Sequence, residues 1–176
     1  SFRFGNVEVF MLDNRSKRSP NLNSIRDTTG NILVFDPPPG HTILGQAQMN
    51  WLLNGLKNST ATWKFIVGGV SFNKGYRRVI DQVSGNAQLQ NFDPTPFLPP
   101  GVDGNVKNVL GAIIDTWAGF PEDQNKVLQT IADNEIKDGV FLSSDSHTSA
   151  IDDGENAGIP ELMAGNLNIA NSRLAQ

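Results

Sequence analysis

Cysteine is absent from this chain of 176 residues, and its absence removes one set of chemistries. Without thiols the chain forms no disulfide, offers no thiolate ligand to zinc and has no cysteine nucleophile. Long apolar runs are also missing, since none approaches the roughly 20 residues that a membrane-spanning helix needs. The sequence therefore predicts no transmembrane segment.

Clustered basic residues are scarce as well. The net charge is −4, and the densest basic group is Arg15, Lys17 and Arg18. Nucleic-acid backbones and anionic membrane surfaces are bound by larger clusters of Lys and Arg. These partners are therefore not expected, and neither is a role as a nucleic-acid scaffold.

Three familiar catalytic and phosphate-binding motifs do not occur. The chain has no Gly-x-Ser-x-Gly pentapeptide, no Gly-x-x-x-x-Gly-Lys loop and no Gly-x-Gly-x-x-Gly fingerprint, which argues against a nucleotide triphosphatase or a dinucleotide-binding protein. A serine hydrolase built on Ser144, Asp145 and His147 stays open as an alternative. These three residues lie too close in sequence for triad geometry to be assumed.

What the sequence does contain is an alternation of short apolar runs and helical patterns. "VEVFML" at 7–12 and "TWKFIVGGVSF" at 62–72 predict buried strands, and "GQAQMNWLLNGLKNS" at 45–59 predicts a helix. A further helix is predicted over 121–136, with Pro at its first turn and Gly139 ending it, followed by a third strand in "VFLSSDSH".

The remaining segments are rich in residues that favour turns. Residues 19–42 predict a long surface loop with a short edge strand at 32–35, and residues 73–104 predict a second loop region. Strands that alternate with helices imply one layered α/β or α+β domain rather than a helical bundle.

Polar side chains follow two of the predicted strands. Asp13 and Arg15 come after the first, and Asp145 and His147 after the third. Ligand sites gather beyond the carboxyl ends of strands in such sheets, and the four side chains converge if the strands are parallel neighbours. Carboxylate and imidazole are suitable metal ligands. The alternatives are that His147 is an ordinary loop histidine and that Asp13 forms a turn with its own backbone.

Two further groups are candidates for substrate contact. Arg15 and Arg18 could grip a phosphate, because the planar guanidinium matches its oxygens, or they could form a solvated cationic loop. Trp117, between Asp115 and Gly119, could wall a pocket or anchor the helix that follows.

Taken in order, these stretches resemble the C-terminal half of the PhoD-like alkaline phosphatases and phosphodiesterases, relatives of the calcineurin-like metallophosphoesterases. The resemblance covers roughly residues 2 to 167. The segments that carry it are "FMLDNRSKR", "ILGQAQMNWLLNGLKNSTATWKFIVGG", "DTWAGFP", "GVFLSSDSH" and "GIPELMAGNL".

The resemblance implies an α+β domain, a layered β-sandwich flanked by helices, of which residues 1–176 form the C-terminal part. It implies a metal-dependent phosphoric ester hydrolase that is periplasmic, cell-surface or secreted and uses calcium, iron, zinc or manganese. By the same resemblance Asp145 and His147 are metal ligands, His147 and Arg15 are catalytic, and the substrate phosphate ester lies near Arg18, Asp115 and Trp117.

Departures from the family pattern qualify this interpretation. Ser144 stands where a glycine is usual, Ala118 where Asp is common and Gln124 where Arg is usual. The early motifs that complete the family's metal centre do not occur in these residues. We therefore expect activity only when a missing N-terminal portion completes the enzyme; the alternatives are an inactive binding module and the metal-independent hydrolase that uses Ser144 and His147.

Overall fold

The computed structural model describes residues 1–21, 25–34, 37–93, 96, 110–111, 113–145 and 149–165. Its strands are β1 Phe2–Phe4, β2 Val7–Met11, β3 Ile25–Arg26, β4 Ile32–Val34, β5 Trp63–Val67, β6 Gly139–Ser143, β7 Ala150–Asp152 and β8 Glu161–Met163. Its helices are α1 Gly45–Asn58, α2 Gly75–Val83, α3 Ala87–Gln90 and α4 Pro121–Asp133, with a 3-10 turn at Trp117–Gly119.

Six strands form one mixed sheet in the order β1-β2-β5-β6-β8-β7. The four inner strands β2, β5, β6 and β8 are parallel, whereas β1 and β7 pair antiparallel at the edges. β3 and β4 pair in a separate two-stranded sheet, and β4 matches the predicted edge strand. The predicted α+β class is confirmed by this mixed sheet and its flanking helices.

One face of the six-stranded sheet carries the core. Phe10, Ile66, Phe141 and Glu161 lie opposite one another in register across β2, β5, β6 and β8, and all four are buried. Helix α1 lies over this face, since the rings of Trp51 and Phe10 meet edge to face at 5.8 Å. Helix α4 packs beside α1.

Helix α1 follows the predicted pattern closely. Met49, Leu52 and Leu56 recur at spacings of three and four, so they share one stripe, and all three are buried. Leu53 packs against the same cluster at partial exposure. The predicted helix over 45–59 is thus confirmed, with its end at Asn58.

Helix α4 begins at Pro121 as predicted but ends earlier than the sequence suggests. It stops at Asp133, because Glu135 takes a left-handed backbone with φ of 48°. Gly139 does not end the helix; it is the first residue of β6. A side chain there would press on Ile159, whose Cδ1 lies 3.2 Å from an added Cβ.

The predicted loop over 73–104 is wrong in part. Helices α2 and α3 lie within it, while residues 94–95 and 97–104 lie outside the described part of the chain. In α2 only Ile80 and Val83 are buried, which is too short an apolar stripe to distinguish a helix from a loop by periodicity. In the part of the chain described above, no helix is long and apolar enough to cross a membrane.

Candidate functional site

The carboxyl ends of β2, β5 and β6 lie at one edge of the sheet because these strands are parallel and adjacent. Asp13 and Arg15 follow β2, and Asp145 follows β6, with β5 between them. The predicted convergence occurs for Arg15 and Asp145, whose side chains meet at 2.9 Å. His147 lies outside the described residues, so its metal-binding and catalytic roles stay predictions.

Arg15 is the centre of this cluster. Its Nη1 donates to Asp115 Oδ2 at 2.5 Å, and its Nη2 donates to Asp145 Oδ2 at 2.9 Å. Both Arg15 and Asp145 are about half exposed. The guanidinium therefore stands between two carboxylates at the surface, with the hydrogen bond to Asp115 the main cause that raises its pKa.

Arg18 lies deeper beside the same carboxylate. Its Nη2 donates to Asp115 Oδ1 at 2.5 Å, and its guanidinium carbon stands 5.6 Å from the ring centre of Phe120. Asn21 closes the group by accepting from Arg18 and donating to Asp115 at 3.1 Å. Arg18 is thus a largely buried, firmly held cation.

Asp115 carries opposing influences on its pKa. Burial by itself would raise the pKa, but hydrogen bonds from Arg15 and Asn21 and the positive charges of Arg18 and Arg15 outweigh burial and lower it. The carboxyl group is therefore ionised at neutral pH. It joins two arginines into one unit.

Asp13 behaves as the turn-forming alternative describes. Its Oδ1 accepts hydrogen bonds from the backbone N–H groups of Arg15 and Ser16, both at 2.9 Å. Bonds from Ser16 are the main cause that lowers the pKa of Asp13 to about 2. The side chain of Gln48 in α1 holds the same residue by its backbone N–H and C=O. Asp13 therefore shapes the loop that presents Arg15.

Asn14, which the sequence-based analysis did not single out, forms part of the same edge. It is buried, its Oδ1 accepts from the Gly69 N–H at 2.8 Å, and its Nδ2 has no partner among the described residues. Gly68 allows this approach, because an added Cβ would lie 2.9 Å from the Phe141 ring and 3.2 Å from Asn14 Oδ1. The Gly68-Gly69 pair directly after a strand was the available signal for close backbone approach.

Ser144 and Asp145 form the turn at the end of β6. The left-handed residue is Asp145, with φ of 71°, and not Ser144, so the replacement of the usual glycine by Ser144 does not fall on the strained position. The Ser144 hydroxyl donates to the Gly69 carbonyl at 3.3 Å. Among the described residues, the partner of this hydroxyl is therefore backbone, and its relation to His147 lies outside them.

Trp117 occupies the core and not the surface. It is fully buried and packs edge to face on Phe72 and Phe141, with ring centres 5.0 and 5.8 Å away. The packing-anchor alternative therefore describes its place among the described residues, and substrate contact by Trp117 stays a prediction. Ala118 and Gln124 are also buried, and Gln124 donates to the Phe72 carbonyl.

The described residues do not complete a metal site by themselves. Among them no three His, Asp or Glu side chains are grouped closely enough to hold an ion. The Asp145 carboxylate is half exposed and paired with Arg15, and the amide oxygen of Asn14 is bonded to the Gly69 N–H.

Comparison with known proteins identifies the family of this chain. The family model for PhoD-like phosphatases matches residues 1–171. The chain belongs to the PhoD-like phosphatase family. This PhoD-like chain is 27% identical over 151 residues to alkaline phosphatase D of Bacillus subtilis (strain 168). A solved structure titled "Structure of PhoD" shares its fold with a TM-score of 0.56 at 20% identity.

The PhoD-like chain is short beside these relatives. The match to alkaline phosphatase D covers 84% of this chain but 21% of that protein. The structural match covers 94% of this chain and 28% of the other. The chain thus spans about a quarter of the length of the relatives it matches.

Proposed function

We propose that this chain contributes the arginine-bearing edge of a metal-dependent phosphoric ester hydrolase that acts on phosphate mono- or diesters as part of a longer enzyme. The observation that carries the proposal is the convergence of Arg15, Arg18, Asp115 and Asp145 at the carboxyl edge of a parallel sheet. Family membership supports a phosphatase, and the relative named alkaline phosphatase D supports the same class.

Arg15 is the group best placed to meet a phosphoryl oxygen. It is half exposed, and two of its five N–H donors go to Asp115 and Asp145. The remaining donors can bind a phosphate, which the guanidinium fork matches in shape. Arg18 is largely buried, so its guanidinium is less accessible to a phosphate, and its role in this proposal is to hold the Asp115 carboxylate in place.

The charges of the cluster support a requirement for metal. Arg15 and Arg18 supply two positive charges, and Asp115 and Asp145 cancel both. A site with no net charge gains little from binding a phosphate dianion, so further positive charge has to come from elsewhere. Bound calcium, iron, zinc or manganese would supply that charge and lower the pKa of an attacking water.

The described residues could supply only part of the ligand set of a metal ion. Asp145 offers a half-exposed carboxylate at this edge, His147 is the predicted second ligand, and the rest of the ligand set would come from residues outside the described ones. The contact between Asp145 and Arg15 would place a metal ligand beside a side chain that donates hydrogen bonds to the phosphate. We also propose that the complete protein is periplasmic, cell-surface or secreted, as the family resemblance implies.

Hydrolysis by the full-length protein tests the proposal. With p-nitrophenyl phosphate and bis-p-nitrophenyl phosphate, Arg15→Ala should lower kcat/KM by about 10- to 100-fold, the loss expected for one or two charged hydrogen bonds. Chelation and His147→Ala should abolish turnover. The matched control is Arg78→Ala, an exposed arginine of α2, which should leave the rate unchanged.

Each alternative gives a different result in the same assay. An inactive binding module shows no hydrolysis and no metal by elemental analysis of the purified protein. A serine hydrolase keeps its activity with chelator and loses it on Ser144→Ala. Activity that survives chelation or His147→Ala would contradict the requirement for metal, and activity that Arg15→Ala leaves unchanged would contradict the role given to Arg15.

A further inference from the structure

Glu161 of β8 is a carboxylate buried in the core of the protein. It is 1% exposed, and it lies beside Phe141 of β6 on the face of the sheet that the helices cover. Among the described residues, no Lys, Arg or His forms an ion pair with it. A buried carboxylate without a cation lowers stability unless hydrogen bonds compensate for the lost water. The hydrogen bonds of Glu161 therefore indicate what it does.

The side-chain hydrogen bonds of Glu161 in the described part of the chain all end on one oxygen atom, Oε1. This atom accepts from the Ser143 hydroxyl at 2.5 Å, from the Phe72 N–H at 2.7 Å and from the Ser71 hydroxyl at 3.3 Å. The other oxygen, Oε2, is buried and has no partner among the described residues. One atom thus joins the end of β6 to the segment that follows β5.

The first of these two segments leads to Asp145. Ser143 is the last residue of β6, and its hydroxyl is bonded to Glu161. Asp145 follows two positions later in a left-handed backbone with φ of 71°, and it pairs with Arg15 at 2.9 Å. Because the chain turns directly after Ser143, a change in the direction of this strand end would move the Asp145 carboxylate.

The second segment leads to Asp115. The Ser71 carbonyl accepts from the Trp117 N–H at 3.2 Å, and the Phe72 ring packs on Trp117 with ring centres 5.0 Å apart. Asp115 lies two positions before Trp117 and pairs with Arg15 at 2.5 Å. The shared oxygen that holds Ser71 and Phe72 therefore also fixes the position of Asp115.

We propose that Glu161 is a positioning residue of the candidate site, and that its Oε1 sets the distance between Asp115 and Asp145. These two carboxylates hold the Arg15 guanidinium from both sides, so their spacing orients the donors that would meet a phosphoryl oxygen. The inference rests on the proposed function, since it concerns the arginine assigned to phosphate binding there. A displacement of about 1 Å in a positioned group can lower a rate by roughly 100-fold.

Two substitutions separate the hydrogen-bond acceptor from the charge. Glu161→Leu removes the acceptor, whereas Glu161→Gln keeps an acceptor oxygen in a side chain of the same size. In the full-length protein with p-nitrophenyl phosphate, Glu161→Leu should lower kcat/KM by about tenfold and Glu161→Gln by about threefold or less. The matched control is Gln90→Leu in α3, which removes a buried amide that donates to the Val83 carbonyl at 3.0 Å and should leave kcat/KM unchanged.

The Arg15→Ala background shows whether Glu161 acts through Arg15. There Glu161→Leu should lower kcat/KM by less than about twofold, because the group that it positions is already gone. A general loss of structure would lower kcat/KM by the same factor in both backgrounds. Ser143→Ala removes one of the three hydrogen bonds and should show the same dependence on Arg15, with a loss of about threefold in the wild-type background. Ser143→Ala decides the matter if Glu161→Leu does not fold.

Urea unfolding tests the same link without hydrolysis. Asp115→Asn should shift the urea midpoint about half as far in the Glu161→Leu or Ser143→Ala protein as in the wild type, because Asp115 is then held less firmly against Arg15. A full-length wild type that hydrolyses no phosphate ester refutes the proposed function and leaves this measurement to decide the role of Glu161. Equal midpoint shifts in the two backgrounds, or a Glu161→Leu enzyme with wild-type kcat/KM, would overturn the inference.

Discussion

At the scale of single residues, Asp115 is the link that makes two arginines act together. It receives hydrogen bonds from Arg15, Arg18 and Asn21, and each of these comes from the loop after β2. The carboxylate itself comes from the segment before α4, so it ties two distant parts of the chain. The stability of this tie should depend on its ionisation.

Replacing Asp115 by Asn should destabilise the full-length protein at neutral pH by about 1–2 kcal/mol, since charge-assisted hydrogen bonds are lost. The folded-state pKa of Asp115 is lowered from 3.8, so its contribution is present above that value and is lost as pH falls through the folded pKa. Urea unfolding at pH 7, 5 and 3 should show the gap between wild type and variant shrink only at the lowest pH.

The control is Asp81→Asn, which breaks an exposed pair with Arg77 on one helix. Such surface pairs contribute about 0.3–0.5 kcal/mol. Equal losses for Asp115→Asn and Asp81→Asn, or a gap for Asp115→Asn that is the same at pH 3 and pH 7, would contradict the role given to Asp115.

The limits of sequence reasoning are also visible at this scale. The meeting of Arg15 and Asp145 could be predicted only on the condition that their two strands are parallel neighbours, and the local sequence does not supply that condition. The arginine partners of Asp115 could not be predicted. Arg18 lies 97 positions and Arg15 lies 100 positions before Asp115 in the chain, and no local pattern encodes such a contact. The burial of Trp117 could not be predicted either, because the identity of a single aromatic residue does not distinguish a pocket wall from a core position.

At the scale of elements, α1 packs closely on the sheet because Gly55 has no side chain at the point of contact. A Cβ added at Gly55 would lie 2.5 Å from Phe10 Cε1. Glycine in a helix interior usually costs stability relative to alanine. Here the close approach of the helix to Phe10 reverses that rule.

Gly55→Ala should therefore destabilise the full-length protein by about 1–3 kcal/mol, the usual cost of overpacking, as measured by urea unfolding. Asn54→Ala, one residue earlier on the exposed side of α1, should be neutral or slightly stabilising. In the Phe10→Leu background, Gly55→Ala should cost less stability than it does in the wild type, because the ring that the added methyl group would meet is gone. A stabilised Gly55→Ala protein would refute the close packing described here.

Long periodic elements were predictable and short ones were not. The pattern of α1 gave its helix to within one residue, and β2 and β5 read clearly as buried strands. β1, β7 and β8 have three residues each, and a three-residue strand carries too little alternation to stand out. Their place in the sheet comes from pairing with distant strands, which the local sequence does not specify.

At the scale of the whole molecule, the inner strands β2, β5, β6 and β8 are added to the sheet in one direction. Right-handed crossovers between them all pass over the same face, so the helices cover the face of Phe10 and Phe141. The polar cluster lies at the carboxyl edge. The second face carries apolar side chains in register, with Met11, Val67, Leu142 and Leu162 in one row across the sheet.

Lysines on the apolar face that carries Met11 and Leu162 should reduce self-association of the 176-residue chain. The wild-type chain should associate as its concentration rises, because it exposes a continuous apolar surface, and Met11→Lys with Leu162→Lys should reduce that association, as light scattering would show. Leu89→Lys on α3, at a residue exposed to a similar extent, should leave the association unchanged. Association that the lysine pair does not alter would mean that this face is not the contact between the associating chains.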